Sequence, residues 1–218
     1  MQNPRILAAE GLGTALLTAA VIGSGIMASR LSDDAGVMLL ANAGATVAAL
    51  YVLIAVLGPV SGAQFNPAVT LTLGRAGGMS ATLAAMVVAV QVAGAVAGTV
   101  LAHAMFDLPL LQVSVTARTG TGQWIAEVVA TATLVGVIYL CRTAGRDAAG
   151  LVALWIGAAY WFTASTSFAN PAVTLARTLT DSFAGIRPWD APAFVFAQAV
   201  GAALGFHAAR ALAPETDR

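Results

Sequence analysis

The chain has 218 residues, of which 59% are hydrophobic and 9% are charged, whereas a typical soluble domain is about 25% charged. This deficit favours a membrane protein, and the zero net charge without a basic cluster argues against nucleic acid as a partner. All ten cations are arginines, and residues 11–29, 35–74, 76–106, 148–176 and 191–209 carry no charge.

Six membrane-spanning helices are predicted, over about residues 6–28, 36–57, 80–105, 123–141, 148–165 and 191–212. Each lies in an apolar stretch of the length needed to cross a hydrocarbon core of about 30 Å. The first contains Glu10 and lacks a small-residue cleavage site, so it is expected to be a retained span and not a signal peptide. The lipid bilayer is therefore the first predicted partner.

Two further segments begin with the same six residues, "NPAVTL", at Asn66–Leu71 and Asn170–Leu175. Both are too short to cross, and backbone at membrane depth must be paired internally or line a cavity. We therefore expect two half-helices that enter the membrane and turn back. The asparagines are placed to cap them, with Pro67 and Pro171 at the first helical position. The alternative is two ordinary N-caps on helices at the membrane surface.

The repetition extends beyond the hexapeptide. "AEGLGTALL" is echoed by "AEVVATATL", which aligns Glu10 with Glu127, and "QVAGAVAG" at 91–98 is echoed by "QAVGAALG" at 198–205. Each half holds three spans, an odd number, so the halves are expected to lie in opposite orientations. We predict one domain, 1–218, built as an inverted repeat with a first half of about 1–108 and a second of about 119–218.

Two half-helices inserted from opposite faces bring their N-termini together near the bilayer centre. Each N-terminus carries roughly +0.5 elementary charge from aligned peptide dipoles, and each asparagine amide can donate hydrogen bonds. A small neutral hydroxylated molecule can accept from both amides, whereas a cation is repelled. A proton chain is also disfavoured, because a central water must point its oxygen toward both asparagines.

The stretches "SGAQFNPAVTL" and "TSFANPAVTL", with six spans around them, resemble the major intrinsic protein (aquaporin) family over essentially the whole chain. The resemblance implies an all-α membrane protein, a right-handed bundle of six transmembrane helices plus two re-entrant half-helices, and a homotetramer with one pore per subunit. It implies no enzymatic activity, cofactor or metal. The paired boxes are Asn66, Pro67, Ala68 and Asn170, Pro171, Ala172.

The resemblance also implies roles for residues outside the boxes. Glu10 and Glu127 would support the re-entrant loops. Gln64 stands where members of the family often carry histidine, and it is expected to tie the loop backbone at the inner mouth. Small residues, at Gly94, Gly98, Gly201 and Gly205, would let the third and sixth spans approach closely at the pseudo-twofold axis between the two halves.

Members of the family select solutes at four positions outside the asparagine pair. Counted from the boxes, these positions are Thr46, Ala158 (or Gly157 if the loop is one residue longer), Ser167 and Val173. Val173 stands where the family typically has arginine, and the bulky aromatic and histidine of water-selective members are absent from this set. A wide opening without a cation is expected, which resembles the bacterial arsenite-conducting branch of the family.

The expected function is passive conduction of small uncharged solutes, with arsenous acid favoured beside glycerol-like solutes and water. The alternatives within the channel class are a general glycerol or urea facilitator and a plain water channel. A coupled transporter would need Glu10 and Glu127 as coupling groups. A structural junction protein is the remaining alternative.

Arg177 lies four residues after Val173, one helical turn further out. It is expected either to hold a displaced positive charge at the external vestibule or to pair with Asp181 or lipid headgroups.

The orientation is predicted from the arginines. With both termini cytoplasmic, as expected in a bacterial inner membrane, six arginines lie inside and four outside, a slight positive-inside bias. The inner ones are Arg5, Arg75, Arg142, Arg146, Arg210 and Arg218; the outer ones are Arg30, Arg118, Arg177 and Arg187.

Overall fold

The computed structural model describes residues 4–213, and this part of the chain is all-helical. The α-helices are α1 Pro4–Leu31, α2 Ala35–Ser61, α3 Pro67–Val69, α4 Ala81–Met105, α5 Thr121–Thr143, α6 Ala148–Phe162, α7 Pro171–Ala176 and α8 Ala191–Leu212. A π-helical turn, Thr70–Gly74, continues α3, and a 3₁₀ turn, Arg177–Leu179, continues α7. Arg218, counted above among the inner arginines, lies outside the described residues, as do the outermost residues of the two predicted halves.

Five helices are long and apolar enough to cross a membrane, namely α1, α2, α4, α5 and α8. The fifth predicted span, α6, is apolar but has 15 residues and ends at Phe162, three residues earlier than expected. Thr163 is extended where the helix stops, and its hydroxyl bonds back to Ala159 O at 2.7 Å. At 1.5 Å per residue α6 is about 22 Å long, which is shorter than a hydrocarbon core of about 30 Å.

The polarity of the bundle is reversed relative to a soluble protein. Large apolar side chains such as Leu40, Leu154 and Phe196 are exposed, whereas Glu10, Glu127, Gln91 and Gln198 are buried. Intramembrane ionisable groups in such proteins face the bundle interior and are paired or hydrogen-bonded. The outer surface is therefore suited to lipid or another apolar surface, and the polar interior marks the functional region.

The four glycines do not join the third and sixth spans, α4 and α8, as expected; they pack α4 against α1 and α8 against α5. A Cβ on Gly94 would stand 2.2 Å from Gly11 O, and one on Gly98 would stand 2.1 Å from Ala15 O. On α8, a Cβ on Gly201 or Gly205 would meet carbonyls of α5 at 2.4 and 2.0 Å. Real Cβ atoms do not approach so closely, so each pair depends on hydrogen as the side chain.

The two short helices enter the interior from loops that follow α2 and α6. Gly62 ends α2 in the left-handed conformation at φ 87°, and its N–H bonds to Gly58 O at 2.9 Å. The chain then turns inward to α3, while the loop after α6 does the same toward α7. Both short helices pack against α4 and α8. This arrangement surrounds them with the long helices.

Candidate functional site

Each short helix begins at an asparagine that caps it. Asn66 and Asn170 are extended, at φ −155° and −152°, which turns their side chains back over the first helical turn. The Asn66 Oδ1 accepts from Ala68 N at 2.9 Å, and the Asn170 Oδ1 accepts from Ala172 N at 3.1 Å. The proline that follows each asparagine occupies a position where no N–H is needed. The amide oxygen is thus used for capping, which leaves the NH₂ facing the other loop.

The tips of α3 and α7 meet head to head. Asn66 Nδ2 donates to Ala169 O at 2.7 Å, and Asn170 Nδ2 donates to Phe65 O at 2.8 Å. Each amide therefore bonds to the carbonyl just before the opposite asparagine. Since an amide nitrogen carries two hydrogens, one donor on each asparagine remains for a solute. Two positive dipole ends and two amide donors share one point in the interior.

Glu10 fixes the loop before α3. Its Oε1 accepts from Gln64 N at 2.9 Å and Ser61 Oγ at 2.7 Å, and its Oε2 accepts from Phe65 N at 2.7 Å. Gln91 Nε2 also donates to Oε2, at 2.9 Å. The carboxylate thus has four donors although it is almost fully buried. Hydrogen bonds of this kind, with one ionised partner, are the strong ones.

Glu127 holds the loop before α7 in the same way. Its two oxygens accept from Phe168 N and Ala169 N, both at 2.9 Å, and Gln198 Nε2 donates to Oε2 at 2.6 Å. Gln198 also donates to Thr174 Oγ1 at 2.8 Å, which ties α8 to α7. Each loop is therefore held by one carboxylate and one glutamine from the long helices.

The held loops have an unusual backbone. Ala63 and Phe65 before α3, and Ser167 and Ala169 before α7, have φ between 46° and 52°. Non-glycine residues in this left-handed region cost of order 1 kcal/mol each and persist where the surroundings enforce them. The carboxylate bonds to the backbone N–H groups supply that enforcement. The loops are thereby rigid in a conformation that a free peptide would not keep.

Gln64 ties the first loop to its helix. Its Oε1 accepts from Thr70 Oγ1 at 2.7 Å, and Thr70 Oγ1 in turn accepts from Gln91 Nε2 at 2.9 Å. In the second half, Thr174 Oγ1 donates to Asn170 O instead, at 2.8 Å. The two loops thus share the carboxylate and glutamine contacts and differ in this hydroxyl.

One cavity of about 120 Å³ runs past the asparagines. A volume of this size is large enough to hold several water-sized molecules. Seven of the sequence-selected residues line it, namely Thr46, Gln64, Asn66, Ser167, Asn170, Val173 and Arg177. The boxes' prolines and alanines are not among the lining residues; Ala172 packs against Ala95 and Ala176 behind the cavity.

The structure corrects the prediction that Ala158, or else Gly157, lines the cavity as the fourth selectivity position. Ala158 is exposed on the outside of α6, and neither it nor Gly157 lines the cavity; Tyr160 does. The Tyr160 hydroxyl lies 3.3 Å from Thr46 Oγ1. Tyr160, two residues after Ala158, lines the cavity together with Val152 and Ile156 of the same helix, so counting from the box did not identify the inward face of α6. Tyr160 brings an aromatic ring and a hydroxyl to the lining where alanine was expected.

Ser167 adds a hydroxyl to the lining of the cavity. It is 4% exposed, and its Oγ has no hydrogen-bond partner among the residues that the structure describes. A buried polar atom without a partner is costly unless something in the cavity satisfies it. The position is thus open to a hydroxylated solute or water.

Arg177 closes the lining at the end of α7. It is 2% exposed, its Nε donates to Ala184 O, and its guanidinium lies 3.4 Å from the centre of the Phe168 ring. It is not paired with Asp181, whose Oδ1 accepts from Val115 N at 3.2 Å. The carbonyl of Ala184 and the ring of Phe168 thus hold the Arg177 guanidinium at the cavity, one turn beyond Val173.

Arg118 supports the same end from the segment between α4 and α5. Its guanidinium lies 5.1 Å from the Phe168 ring centre and donates to Gly185 O at 2.8 Å. Desolvation by burial lowers the pKa of Arg118 below its usual value. Within residues 4–213 the structure shows no group of three or more His, Cys, Asp or Glu side chains able to hold a metal ion.

Comparisons of sequence and fold identify proteins that resemble this chain. Residues 1–169 match the sequence model of the family described as Major intrinsic protein, a match that stops directly before Asn170. The chain is 54% identical over 195 residues to aquaglyceroporin AqpS of Rhizobium meliloti (strain 1021), which covers 89% of this chain and 84% of that protein. It also superposes on the X-ray structure of the aquaglyceroporin from Plasmodium falciparum with a TM-score of 0.74, at 19% identity and 98% coverage of both chains. This last likeness concerns the fold alone.

Proposed function

The chain belongs to the major intrinsic protein family, a family of channels and not of enzymes, and from this premise we propose that it conducts small uncharged polyhydroxyl solutes passively. The favoured solute is arsenous acid, an uncharged trihydroxide of about the size of glycerol. Glycerol-like solutes and water would pass by the same route.

The observation that carries the proposal is the reciprocal contact of Asn66 and Asn170 inside a cavity without acidic lining. No Asp or Glu side chain is among the described residues that line it. A cation at the asparagines would meet two positive dipole ends without a carboxylate to offset its desolvation. A neutral solute can instead accept from the two remaining amide donors. The centre thus selects against cationic cargo.

The constriction sets which neutral solutes pass. We propose that it consists of Thr46, Tyr160, Ser167 and Val173. Three hydroxyls and one apolar side chain give a trihydroxylated solute partners on several sides, while Val173 leaves room that an arginine would fill. The Rhizobium relative is named an aquaglyceroporin, and this supports solutes larger than water.

The finer architecture is proposed with the function. Six helices form the spans, namely α1, α2, α4, α5, α6 and α8. The short helices α3 and α7 are re-entrant half-helices of an inverted repeat, whose halves are about 1–108 and 119–218. Glu10, Glu127 and Gln64 support the loops. The protein is proposed to be a homotetramer in a bacterial inner membrane with both termini cytoplasmic.

Arg177 is proposed to keep a positive charge at the outer vestibule. The stacking on Phe168 and the bond to Ala184 O hold it beside the cavity without a neutralising carboxylate. The change Arg177→Ala should raise the leak of cations that enter from that side while neutral flux persists. Unchanged flux of every solute would remove Arg177 from the proposal.

A glycerol or urea facilitator is the second candidate, favoured by the name of the relative. A coupled transporter has little support, because all four donors of Glu10 and the three donors of Glu127 are protein groups that hold the loops. No observation favours a plain water channel or a junction protein.

The test is flux of water, glycerol and arsenous acid into proteoliposomes made from one protein preparation. We expect all three to pass, with rates that rise linearly with the solute gradient. Fast glycerol and urea with slow arsenous acid would favour the second candidate. Fast water with exclusion of both larger solutes would overturn the proposed constriction.

A further inference from the structure

Two charged side chains line the cavity among the described residues, and they stand at opposite mouths. Arg142 lies with Gly62 and Ala63 at one mouth, and Arg177 lies at the other. The distance between the two arginines can be estimated along helix α1. Glu10 of α1 accepts from the loop next to Arg142. Gly25 of α1 packs against Ala184, whose carbonyl accepts from Arg177. Fifteen residues of helix between them correspond to about 22 Å.

Arg142 is in the last turn of α5, close to the point where the first loop turns inward. Its Nη2 lies 4.0 Å from where a Cβ on Gly62 would stand. The residue is exposed, unlike Arg177, so its charge is at the opening and not inside the constriction. Any solute that uses this mouth passes the guanidinium before it reaches the asparagines.

The charge of Arg142 is not neutralised by an ion pair. Among residues 4–213 the one salt bridge joins Arg187 and Asp190. Glu10 is the acidic group that interacts with Arg142 electrostatically, but its two oxygens already accept from four donors of the first loop and α4. The guanidinium therefore presents net positive charge to the opening.

We propose that Arg142 is a charge-selectivity residue, which repels cations that enter from its mouth. It would thereby supply part of the cation repulsion that an arginine in the place of Val173 would give. Val173 carries no charge in the constriction, so between the mouths exclusion depends on the dipoles at the asparagines. Arginines at both openings would oppose cations from either side. This inference rests on the proposed function, since it assumes that solutes pass through this cavity.

The test compares urea with guanidinium, two planar solutes of nearly the same size that differ in charge. Their influx into proteoliposomes is measured for the native chain and for Arg142→Leu. At low ionic strength a unit charge about 5 Å away in water changes the local cation concentration about fourfold. We expect the guanidinium-to-urea flux ratio to rise by that factor in Arg142→Leu, and by less at 0.15 M salt, where the screening length is about 8 Å.

Three matched variants make the result specific. Arg142→Gln should raise the guanidinium-to-urea flux ratio as Arg142→Leu does. Agreement between the two variants would show that the rise does not come from misfolding of one of them. Arg142→Lys keeps the charge and should keep the native ratio. Arg146→Leu removes an exposed arginine that does not line this cavity, and it should also keep the native ratio.

An unchanged ratio in both neutral variants would overturn the inference while leaving the proposed function intact. A parallel rise of urea and guanidinium would also overturn it, because that result describes a steric plug and not a charge. If the native chain passed no urea, glycerol or arsenous acid, the proposed function itself would fail and the inference with it.

Discussion

The change Val173→Arg restores the residue type that the family typically carries at this position, and it tests the constriction directly. The Val173 N–H bonds to the capping oxygen of Asn170 at 3.3 Å, so the backbone there is fixed, and the side chain is 4% exposed at the cavity. Val173 and Ser167 both line the cavity, and the Ser167 Oγ lacks a partner in the described structure. We expect an arginine at position 173 to narrow the cavity and to donate to that hydroxyl.

The expected magnitude follows from the lost partners. A glycerol-sized solute forced past a filled constriction leaves at least one hydroxyl unpaired, at a cost of about 1–3 kcal/mol. Since about 1.4 kcal/mol is a factor of ten in rate, glycerol flux should fall about 5- to 150-fold. Water is small enough to keep partners on both sides and should lose much less.

The assay is stopped-flow light scattering on proteoliposomes, with water and glycerol measured on one batch. Val173→Leu is the control, because it adds bulk without charge or donors and should reduce glycerol flux less than arginine does. Equal reductions of water and glycerol in Val173→Arg, or no reduction of either, would refute the assignment of Val173 to the constriction.

Three further outcomes are expected. Tyr160→Ala should raise glycerol flux relative to water, whereas Tyr160→Phe, which removes one hydroxyl, should change this ratio far less; identical ratios would exclude Tyr160 from the filter. Glu127→Gln should cost about 1.5–3 kcal/mol, because a charged acceptor of two loop amides is lost, and a thermal midpoint in detergent equal to the native one would contradict this. Gly205→Ala should lower that midpoint, since its methyl would stand 2.0 Å from a carbonyl, while Gly44→Ala, in open space, should not; similar shifts in both would argue against close helix contact.

Much of the fold could be predicted because its signals are local. The helical class was predicted from apolar, charge-free stretches, and it is confirmed by the all-helical chain and the family match. Helix bounds differ from expectation mainly at the ends: α1 and α2 run further, to Leu31 and Ser61, because apolar counting does not detect caps such as Gly62. The repeated Asn-Pro pair carried its own capping chemistry, so its local geometry could be foreseen.

The constriction was harder to predict because it depends on loop geometry. The interval between Tyr160 and Asn170 includes a loop with left-handed residues, and its length determines which face of α6 turns inward. Residue counting therefore selected Ala158, which is exposed. The polar hydroxyl of Tyr160 within an apolar helix was the available signal.

The charge of Arg142 at its mouth was missed for a similar reason, whereas a vestibule charge at Arg177 was one of the two expectations. Arg142 was counted only toward membrane orientation, since nothing in the sequence brings the end of α5 next to the loop that follows α2. The alternative pairing of Arg177 with Asp181 relied on helical spacing. The helix gives way to a 3₁₀ turn at Arg177, and Asp181 lies beyond it, bonded to another segment.

The most direct measurement is uptake of arsenous acid and glycerol by proteoliposomes with and without an imposed membrane potential and proton gradient. A passage restricted to uncharged cargo by two opposed helix tips predicts rates that depend on the solute gradient alone, with no accompanying proton or cation current. Uptake that saturates and follows the proton gradient, or a current carried by cations through the native chain, would contradict it.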